Sequence, residues 1–408
     1  MDGAIALSAE IAREFPPEYP DPLYEVADIF REYGPDYRAT HTLTPLQHKA
    51  MAAIERCRSS ALGAHIDACD QCDYTEISCN SCRNRNCPKC RGSQRRAWVA
   101  ARELELLPIQ YFHLVFTLPE ALLGLARYNP EILYDLLLRV AAETLQTFAN
   151  SRWDAKLGII MVLHTWGQTL NEHPHVHCIV TGGALANDGS RFIRAPKNFL
   201  FPVTALSRVF RAKYLAALER ARRAGQLDVT GLPALATEAG WNRLRATLCE
   251  QDWVVYAKPP FAEPQYLIRY LGRYVNRIAI ANHRIQSIDG GHIRFSYRDY
   301  RDGQEKIMDL SAEEFIRRFL THVLPRGFRR IRYYGFFVNR QRKVKLTLCR
   351  ALLGLTDPDR PYIADLDAYL TQHGTNPRLC PRCGQGTMRA VAILHSFHDP
   401  PAWVREAA

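Results

Sequence analysis

The sequence has no long apolar segment. The best candidate, residues 114–125, is interrupted by Pro119 and Glu120 and falls short of the roughly 18 uncharged apolar residues that a membrane span needs. The first residues contain Glu10 and Glu14 and have neither the basic region nor the apolar core of a secretory signal. These absences argue against a membrane partner and lead us to expect a cytoplasmic protein.

Internal repeats and low-complexity runs are also missing, and acidic residues are outnumbered. Fifty-three Lys and Arg stand against 42 Asp and Glu, which leaves a formal charge of +11. This balance favours an extended polyanion over a small-molecule substrate, although a generally basic enzyme would show it too. With 408 residues, 47% of them hydrophobic, the chain can form two or three packed domains with nucleic acid as the expected partner.

Cysteines are concentrated near one end of the chain. Three Cys-x-x-Cys pairs occur within 22 residues, a spacing that presents two thiolates to one ion. In a reducing compartment such a cluster holds zinc more readily than disulfides. Two pairs complete one site, and two upstream residues lie close enough to join the third pair in a second site. The candidate ligands are Cys69, Cys72, Cys79, Cys82, Cys87 and Cys90, with Cys57 and His65 upstream.

The rest of the sequence predicts an α+β fold. From residue 110 onward, short β-branched and aromatic runs alternate with helical segments, and Asp289-Gly290-Gly291 and Asp302-Gly303 predict hairpin turns. Predicted strands cover 111–117, 157–166, 175–181, 253–258, 292–297 and 305–310. Predicted helices follow Asn129 and Ser311. We expect a zinc module at 1–105, a domain on a largely antiparallel sheet at 106–350, and a tail at 351–408 that carries a further pair, Cys380 and Cys383, of open role.

Two histidines mark the middle of the chain. In His173-Pro-His-Val-His177, strand alternation projects His175 and His177 from one face and turns Val176 into the core. Two imidazoles on one face make half a metal site, so a third polar ligand must come from a neighbouring strand or turn. Gln168 is the first candidate and His164 the second.

Three tyrosines recur at helical spacing. Tyr266, Tyr270 and Tyr274 occupy one predicted helical stripe, and a stripe of arginines, Arg269, Arg273 and Arg277, lies beside it. Tyrosines at this spacing usually pack in a core. The neighbouring arginines favour a different role, because a tyrosine that attacks a phosphate needs cationic surroundings.

Basic residues cluster in two further stretches. Residues 77–102 contain seven Arg or Lys and residues 317–345 contain ten, and neither stretch contains an acid. In the second stretch the bases alternate with aromatic residues, a pattern typical of single-stranded nucleic-acid binding, although a solvated basic face over core aromatics is the alternative. The candidate DNA contacts are Arg83, Arg85, Arg329, Arg330, Arg332 and Arg340 together with the arginine stripe.

Three ordered motifs together resemble the HUH-type two-tyrosine transposases of rolling-circle insertion sequences, in particular the IS91 family. The resemblance covers most of the chain. Its motifs are Ser81-Cys-Arg-Asn-Arg-Asn-Cys-Pro-Lys-Cys90, Trp166-Gly-Gln168 followed by His173-Pro-His-Val-His177, and Arg269-Tyr-Leu-Gly-Arg-Tyr274.

The resemblance implies an HUH nuclease domain on a central antiparallel sheet with flanking helices. It also implies that His175 and His177 hold Mg²⁺ or Mn²⁺, which polarises the scissile phosphate, and that the zinc is structural. Tyr270 and Tyr274 correspond to the family's paired nucleophiles. Such an enzyme nicks and joins single-stranded DNA at its element's ends through a 5′-phosphotyrosine.

The sequence departs from the family pattern at two zinc-module positions. Relatives usually have His where Asn86 stands and an aromatic residue where Cys79 stands. This suggests that Cys79 replaces a lost ligand, and the extra Tyr266 leaves the choice of nucleophile pair open. The alternatives are a plasmid relaxase or replication initiator, which lacks this upstream module, and a zinc-dependent nucleic-acid-binding protein without catalysis.

Overall fold

The computed structural model describes residues 22–258 except residue 91, residues 279–355 except residue 300, residues 376–395 except residue 377, and the single residues Ile268 and Gly272. Within residues 92–97 it describes the backbone alone. Tyr266, Arg269, Tyr270, Arg273, Tyr274 and Arg277 lie outside the described residues.

Helices and strands alternate along most of the described chain. The helices are α1 (Val26–Thr40), α2 (Pro45–Glu55), α3 (Gly92–Glu105), α4 (Leu123–Tyr128), α5 (Pro130–Trp153), α6 (Val203–Arg223), α7 (Glu238–Glu250), α8 (Ala312–Thr321) and α9 (Arg342–Leu352). The strands are β1 (Ala64–Cys69), β2 (Thr75–Cys79), β3 (Tyr111–Thr117), β4 (Ala155–Trp166), β5 (Glu172–Ala186), β6 (Phe192–Arg194), β7 (Val255–Lys258), β8 (Ile285–Asp289), β9 (His292–Arg298), β10 (Glu305–Ser311), β11 (Ile331–Gly335) and β12 (Met388–Leu394).

The central sheet has the strand order β11-β4-β5-β3-β7, with β6 paired to β5, and its pairings are antiparallel. One face carries Phe116, Val176 and Met161, which are buried against α5 and α6 in the main hydrophobic core. The opposite face carries the histidines of the candidate site. The strands are apolar on both faces over much of their length, because α5 and α6 cover one face and residues such as Phe336, Phe337 and Ile268 cover part of the other.

The predicted α+β class and the antiparallel sheet are confirmed. β3 has the predicted limits, and the other predicted strands are recovered with limits that differ by one to five residues. Gly290 and Gly291 have φ values of 55° and 79°, which permits the tight turn between β8 and β9. Ser311 accepts a hydrogen bond from the Glu314 backbone N–H at 3.2 Å, as expected of a residue that caps α8.

A second core joins the N-terminal helices to the late hairpins. Phe30 of α1 and Phe319 of α8 meet edge to face with ring centroids 5.3 Å apart. The same cluster includes Phe295 of β9 and the cysteines Cys57 and Cys87. The zinc module therefore packs on the sheet β10-β9-β8 and on α8.

The third sheet brings two distant parts of the chain together. Its order is β12-β1-β2, so residues 388–394 of the predicted tail pair with residues 64–69 of the predicted zinc module. The boundaries predicted at 105 and 350 stay a prediction. β12 was not predicted, because its residues are mostly exposed and show no alternation of buried and exposed positions.

Candidate metal centres and nucleic-acid surface

The histidines lie on two neighbouring strands of the central sheet. His175 and His177 alternate with buried Val176 on β5, and His164 of β4 lies directly opposite His175 in the antiparallel register. His164 and His177 are buried and His175 is half-buried. Ring nitrogens of the three residues lie within 4.8 Å of one another.

The separation of the two β5 histidines suits ligands of one divalent ion. The Nε2 atoms of His175 and His177 are 3.0 Å apart. Two nitrogens that are each about 2.1 Å from an ion and at a right angle to each other would be separated by about 3.0 Å. The Nδ1–H of His175 can donate to the His173 carbonyl at 2.6 Å, which leaves the Nε2 lone pair facing His177.

A fourth histidine orients the cluster. His113 of β3 lies beside His177, with its Nε2 atom 2.8 Å from His177 Nδ1 and the two rings stacked. When His177 Nδ1–H donates to His113, His177 Nε2 keeps its lone pair for a ligand. Lys258 of β7 pairs with His113 in register and places an ammonium group on this face. Sequence reasoning missed both residues, although strand alternation places them on the same face as His175.

Burial keeps these imidazoles neutral. Desolvation lowers the pKa of His113 to about 3 and that of His175 to about 4. Desolvation and the neighbouring His164 lower the pKa of His177 well below its ordinary value. Neutral imidazole is the form that binds metal, so the cluster is ready to accept a cation at neutral pH.

Gln168, the first choice for the third ligand, is exposed and lies beyond the end of β4. Its carbonyl accepts a hydrogen bond from Arg284 at 2.6 Å, and the next carbonyl, that of Thr169, accepts one from Arg318 at 2.9 Å. The structure brings His164, the second choice, to His175 and His177 instead. His164 is therefore the better candidate, because its position is fixed by the β4–β5 ladder.

The tyrosine-bearing segment reaches the histidine face at one described residue. Ile268 is helical and fully buried, and it belongs to a core cluster that contains Ile160 and Ile179. Ile160 and Ile179 pair across β4 and β5 on the same face as His177. Gly272, also helical, packs against Val99 of α3 so closely that a Cβ atom would clash.

Four cysteines of the zinc module form one compact cluster. Cys57, Cys82, Cys87 and Cys90 place all their sulfurs within 4.8 Å of one another, and two of the separations are 3.2 Å (Cys57 to Cys90) and 3.5 Å (Cys82 to Cys90). Tetrahedral zinc thiolates have sulfurs about 3.8 Å apart, so this set fits a structural zinc ion. Cys57 comes from the end of α2 and is fully buried.

Two of the candidate zinc ligands, Cys79 and His65, lie outside the four-cysteine cluster. Cys79 is exposed at the end of β2 and belongs to neither cysteine cluster, although it lies only three residues before Cys82. His65 bonds to Asn80 at 2.8 Å and to Asp67 at 3.1 Å. β2 ends at Cys79, and the fourth sulfur of the cluster comes from Cys57 instead. Cys69 and Cys72 meet Cys380 and Cys383 instead.

Comparison with known proteins agrees with this architecture. A family model described as "Putative transposase" matches residues 158–345, and one described as "Transposase zinc-binding domain", of the IS91 type, matches residues 29–118. The chain is 48% identical to the "Putative transposase y4qJ" of Sinorhizobium fredii over 92% of this chain and 97% of that protein. It is 31% identical to the "Transposase for insertion sequence element IS801" of Pseudomonas savastanoi pv. phaseolicola, over 86% of this chain and 85% of that protein.

This chain belongs to the IS91 family of transposases. The match to the transposase model begins within β4 and includes both strands of the histidine cluster. No solved structure is significantly similar to this transposase. Among the helices that the structure describes, none combines the length and apolar character that crossing a membrane requires.

The predicted DNA contacts of the transposase divide into exposed and structural residues. Arg83, Arg329 and Arg340 are exposed. Arg330 is 6% exposed, and Arg332 pairs with Asp135 of α5 at 2.6 Å, so their guanidinium groups are used within the fold. Arg85 is half-buried and donates to the Phe328 carbonyl at 2.8 Å, which fixes the zinc module to the segment before β11.

Of the two interpretations of residues 317–345, burial disfavours base stacking for most of the aromatic residues. Phe319, Phe328, Phe336 and Phe337 are buried and form parts of the three cores. The half-buried ring of Tyr333 lies beneath Arg102 and Arg342. The alternative interpretation, core aromatics beneath a basic surface, describes this stretch.

An arginine-lined cleft opens beside the histidine cluster. It has a volume of about 810 Å³ and includes Thr117, Gln168, His173 and Pro174, next to His175. Some of its charge is offset within the fold, since Arg127 pairs with Glu172 and Arg317 with Glu314. A larger cleft of about 1140 Å³ lies between α5, α6 and β11 and is lined in part by Arg332 and Tyr334. The arginines of the smaller cleft are Arg127, Arg298, Arg301, Arg317 and Arg318.

Proposed function

We propose that this transposase nicks and rejoins single-stranded DNA through a 5′-phosphotyrosine intermediate and so moves an insertion sequence by a rolling-circle route. The supporting observation is the cluster of His164, His175 and His177 on one face of the central sheet. Ile268 packs in the hydrophobic cluster on that same face. Ile268 lies between Tyr266 and Tyr270 in the sequence. A relative named as the transposase for an insertion sequence element agrees with this element type.

His164, His175 and His177 would hold Mg²⁺ or Mn²⁺. When bound, such an ion acts as a Lewis acid toward a phosphate oxygen. The role of the surrounding residues is orientation: His113 and the His173 carbonyl fix the two imidazole rings of β5, and the pairing of β4 with β5 fixes His164. Because the imidazoles are neutral, they do not repel the divalent cation that binds the phosphate.

The nucleophile is Tyr270 or Tyr274. Its phenolic oxygen forms a bond to phosphorus while the bond from phosphorus to the 3′-oxygen breaks, and the phenolic proton passes on balance to that 3′-oxygen. The product is a 5′-phosphotyrosine and a free 3′-hydroxyl. Because the ester conserves the bond energy, a 3′-hydroxyl can attack it in turn and rejoin the strand without ATP. A second tyrosine permits another transfer before the first ester is resolved.

The arginine-lined cleft is the path we assign to the single strand. Its lining includes His173 and Pro174, which immediately precede His175 in the chain, and Arg298 and Arg301 from the β9–β10 hairpin. The larger cleft is a weaker candidate, because Arg332 and Tyr334 lie on the face of β11 that packs toward α5.

The experiment uses the full-length protein and single-stranded oligonucleotides from the ends of the DNA element that flank its gene. With Mn²⁺ or Mg²⁺, a 3′-labelled oligonucleotide should yield a labelled protein adduct that survives denaturing electrophoresis. A 5′-labelled oligonucleotide should release a shorter fragment with a 3′-hydroxyl. The same sequence as a duplex and reactions with a chelator serve as controls. Cleavage to a free 5′-phosphate without an adduct would identify a hydrolytic nuclease and contradict the proposal.

A further inference from the structure

Two Cys-x-x-Cys pairs from distant parts of the chain meet at one point. Cys69 Sγ lies 3.8 Å from Cys383 Sγ, and Cys72 Sγ lies 3.8 Å from Cys380 Sγ. All four sulfurs lie within 4.8 Å of one another, although 308 residues separate Cys72 from Cys380. The zinc-binding family model ends at residue 118 and so does not include the second pair.

We propose that Cys69, Cys72, Cys380 and Cys383 bind a second zinc ion, which ties the C-terminal segment to the N-terminal module. The two sulfur separations equal the roughly 3.8 Å expected between thiolates of a tetrahedral zinc site. Backbone N–H groups of Gln71 and Gly386 donate to the sulfurs of Cys69 and Cys383, at 3.4 and 3.2 Å, and stabilise thiolates there.

Contacts around the four sulfurs hold the two pairs in this arrangement. Gly386 has no space for a side chain, because a Cβ atom would clash with Cys69 Sγ. The Thr387 N–H donates to the Asp70 carboxylate at 2.8 Å, and the Asp70 N–H donates to the Thr387 carbonyl at 3.2 Å. Arg382 pairs with Asp73 at 2.8 Å. The close approach is therefore supported by contacts of Gly386, Thr387, Asp70 and Arg382, none of which would bind the ion.

The strand ladder extends from the cysteines. β12 follows Cys383 and pairs antiparallel with β1, from Cys69 opposite Met388 to Ala64 opposite Leu394. Most residues of β12 are exposed, so little apolar burial stabilises this strand. The second zinc ion would supply the missing stabilisation, and its loss should release residues 388–394 from β1.

Zinc content of the full-length chain tests this assignment. The purified wild-type protein should contain two zinc ions, and the Cys380→Ser/Cys383→Ser double variant should contain one. Cys69→Ser should lose the same ion, so that combining it with the double variant removes no further zinc. Cys79→Ser is the matched control, because Cys79 lies on the same hairpin but outside both clusters, and it should keep two ions.

Hydrogen exchange supplies an independent measurement that does not require activity. Amides of residues 388–394 should be protected in the wild type and in Cys79→Ser, and should lose protection in the double variant while α5 remains unchanged. A wild-type protein with one zinc ion and freely reactive Cys380 and Cys383 would overturn the proposal, as would a double variant that keeps two ions. Iron in place of zinc, or a disulfide between the two pairs in protein purified under reducing conditions, would overturn it as well.

Discussion

His164 on β4 lies directly opposite His175 on β5, with the two ring centroids 5.3 Å apart and the planes nearly perpendicular. The pairing of β4 with β5 sets the distance between these two rings, so no loop is needed to bring a ring nitrogen of His164 to the cluster. Gln168 lies in the connection between the strands, where Arg284 and Arg318 hold the backbone. Strand pairing therefore makes His164 a better-positioned candidate for the third ligand than Gln168.

We expect substitutions of these two residues to have different effects on metal use. His164→Gln should weaken Mn²⁺ affinity by at least about tenfold, since loss of a ligand or of its support typically costs that much or more. Gln168→Ala should leave the affinity unchanged. The measurement is Mn²⁺ binding by calorimetry together with the Mn²⁺ concentration needed for cleavage. The reverse pattern would restore Gln168 as the ligand.

His175→Ala and His177→Ala should each reduce cleavage by about two to three orders of magnitude, the effect of losing several kcal/mol of charge stabilisation in the transition state. DNA binding should persist, because it depends on the basic surfaces. His48→Ala is the control, as His48 is an exposed histidine on α2. Both properties are measured on the same single-stranded oligonucleotide. Parallel loss of binding and cleavage would instead indicate a role in folding.

Substitutions of Cys57 and Cys79 provide a test and a matched control for the first zinc site. Cys57→Ser should remove one zinc ion and unfold the module, because Cys57 is buried with Cys82, Cys87 and Cys90 and the metal contributes directly to folding. Cys79→Ser should retain the zinc and the thermal stability. Metal analysis and thermal unfolding of both variants provide the comparison. Zinc loss from Cys79→Ser alone would contradict the observed cluster.

The sequence predicted the elements that have a local signal. β3, the capped helix after Ser311 and the Asp-Gly hairpins follow from alternation, capping and turn residues, and so do the positions of His175 and His177 on one face. The missed features depend on contacts between distant segments. Cys380 joins Cys72, and His113 joins His177, because strands separated in the chain pair in space. The sequence also left two interpretations open for the aromatic residues of 317–345, and burial places the phenylalanines in cores.

His322 should make stability depend on pH. Its Nε2–H donates to the Leu170 carbonyl at 2.9 Å, Thr165 lies 3.2 Å from Nδ1, and burial lowers its pKa from 6.5 to about 4. The unfolded chain therefore takes up a proton at a higher pH than the folded chain does. The contribution of His322 is fully present above pH 6.5 and is lost as the pH falls toward and through about 4, with a maximum on the order of 3 kcal/mol.

Chemical denaturation from pH 7.5 to 4 measures this dependence. His322→Gln keeps an amide that can donate to Leu170 but does not titrate, so its free energy of unfolding should decline less than that of the wild type over the same range. The difference between the two curves should develop below pH 6.5. Curves that stay parallel throughout would show that His322 does not respond to pH in the folded protein.

The last prediction concerns the nucleophile, which lies outside the described residues. Tyr270 and Tyr274 are one predicted helical turn apart, so each could reach a phosphate at the same site. Tyr270→Phe and Tyr274→Phe should each retain part of the adduct formation, and the double substitution should have none. Tyr266→Phe is the matched control one turn earlier and should behave as the wild type. Nuclease digestion of the adduct followed by peptide mass spectrometry should locate the residual nucleotide, linked through its 5′-phosphate, on Tyr270 or Tyr274. An adduct that persists in the double variant would place the nucleophile elsewhere, with Tyr266 the next residue to test.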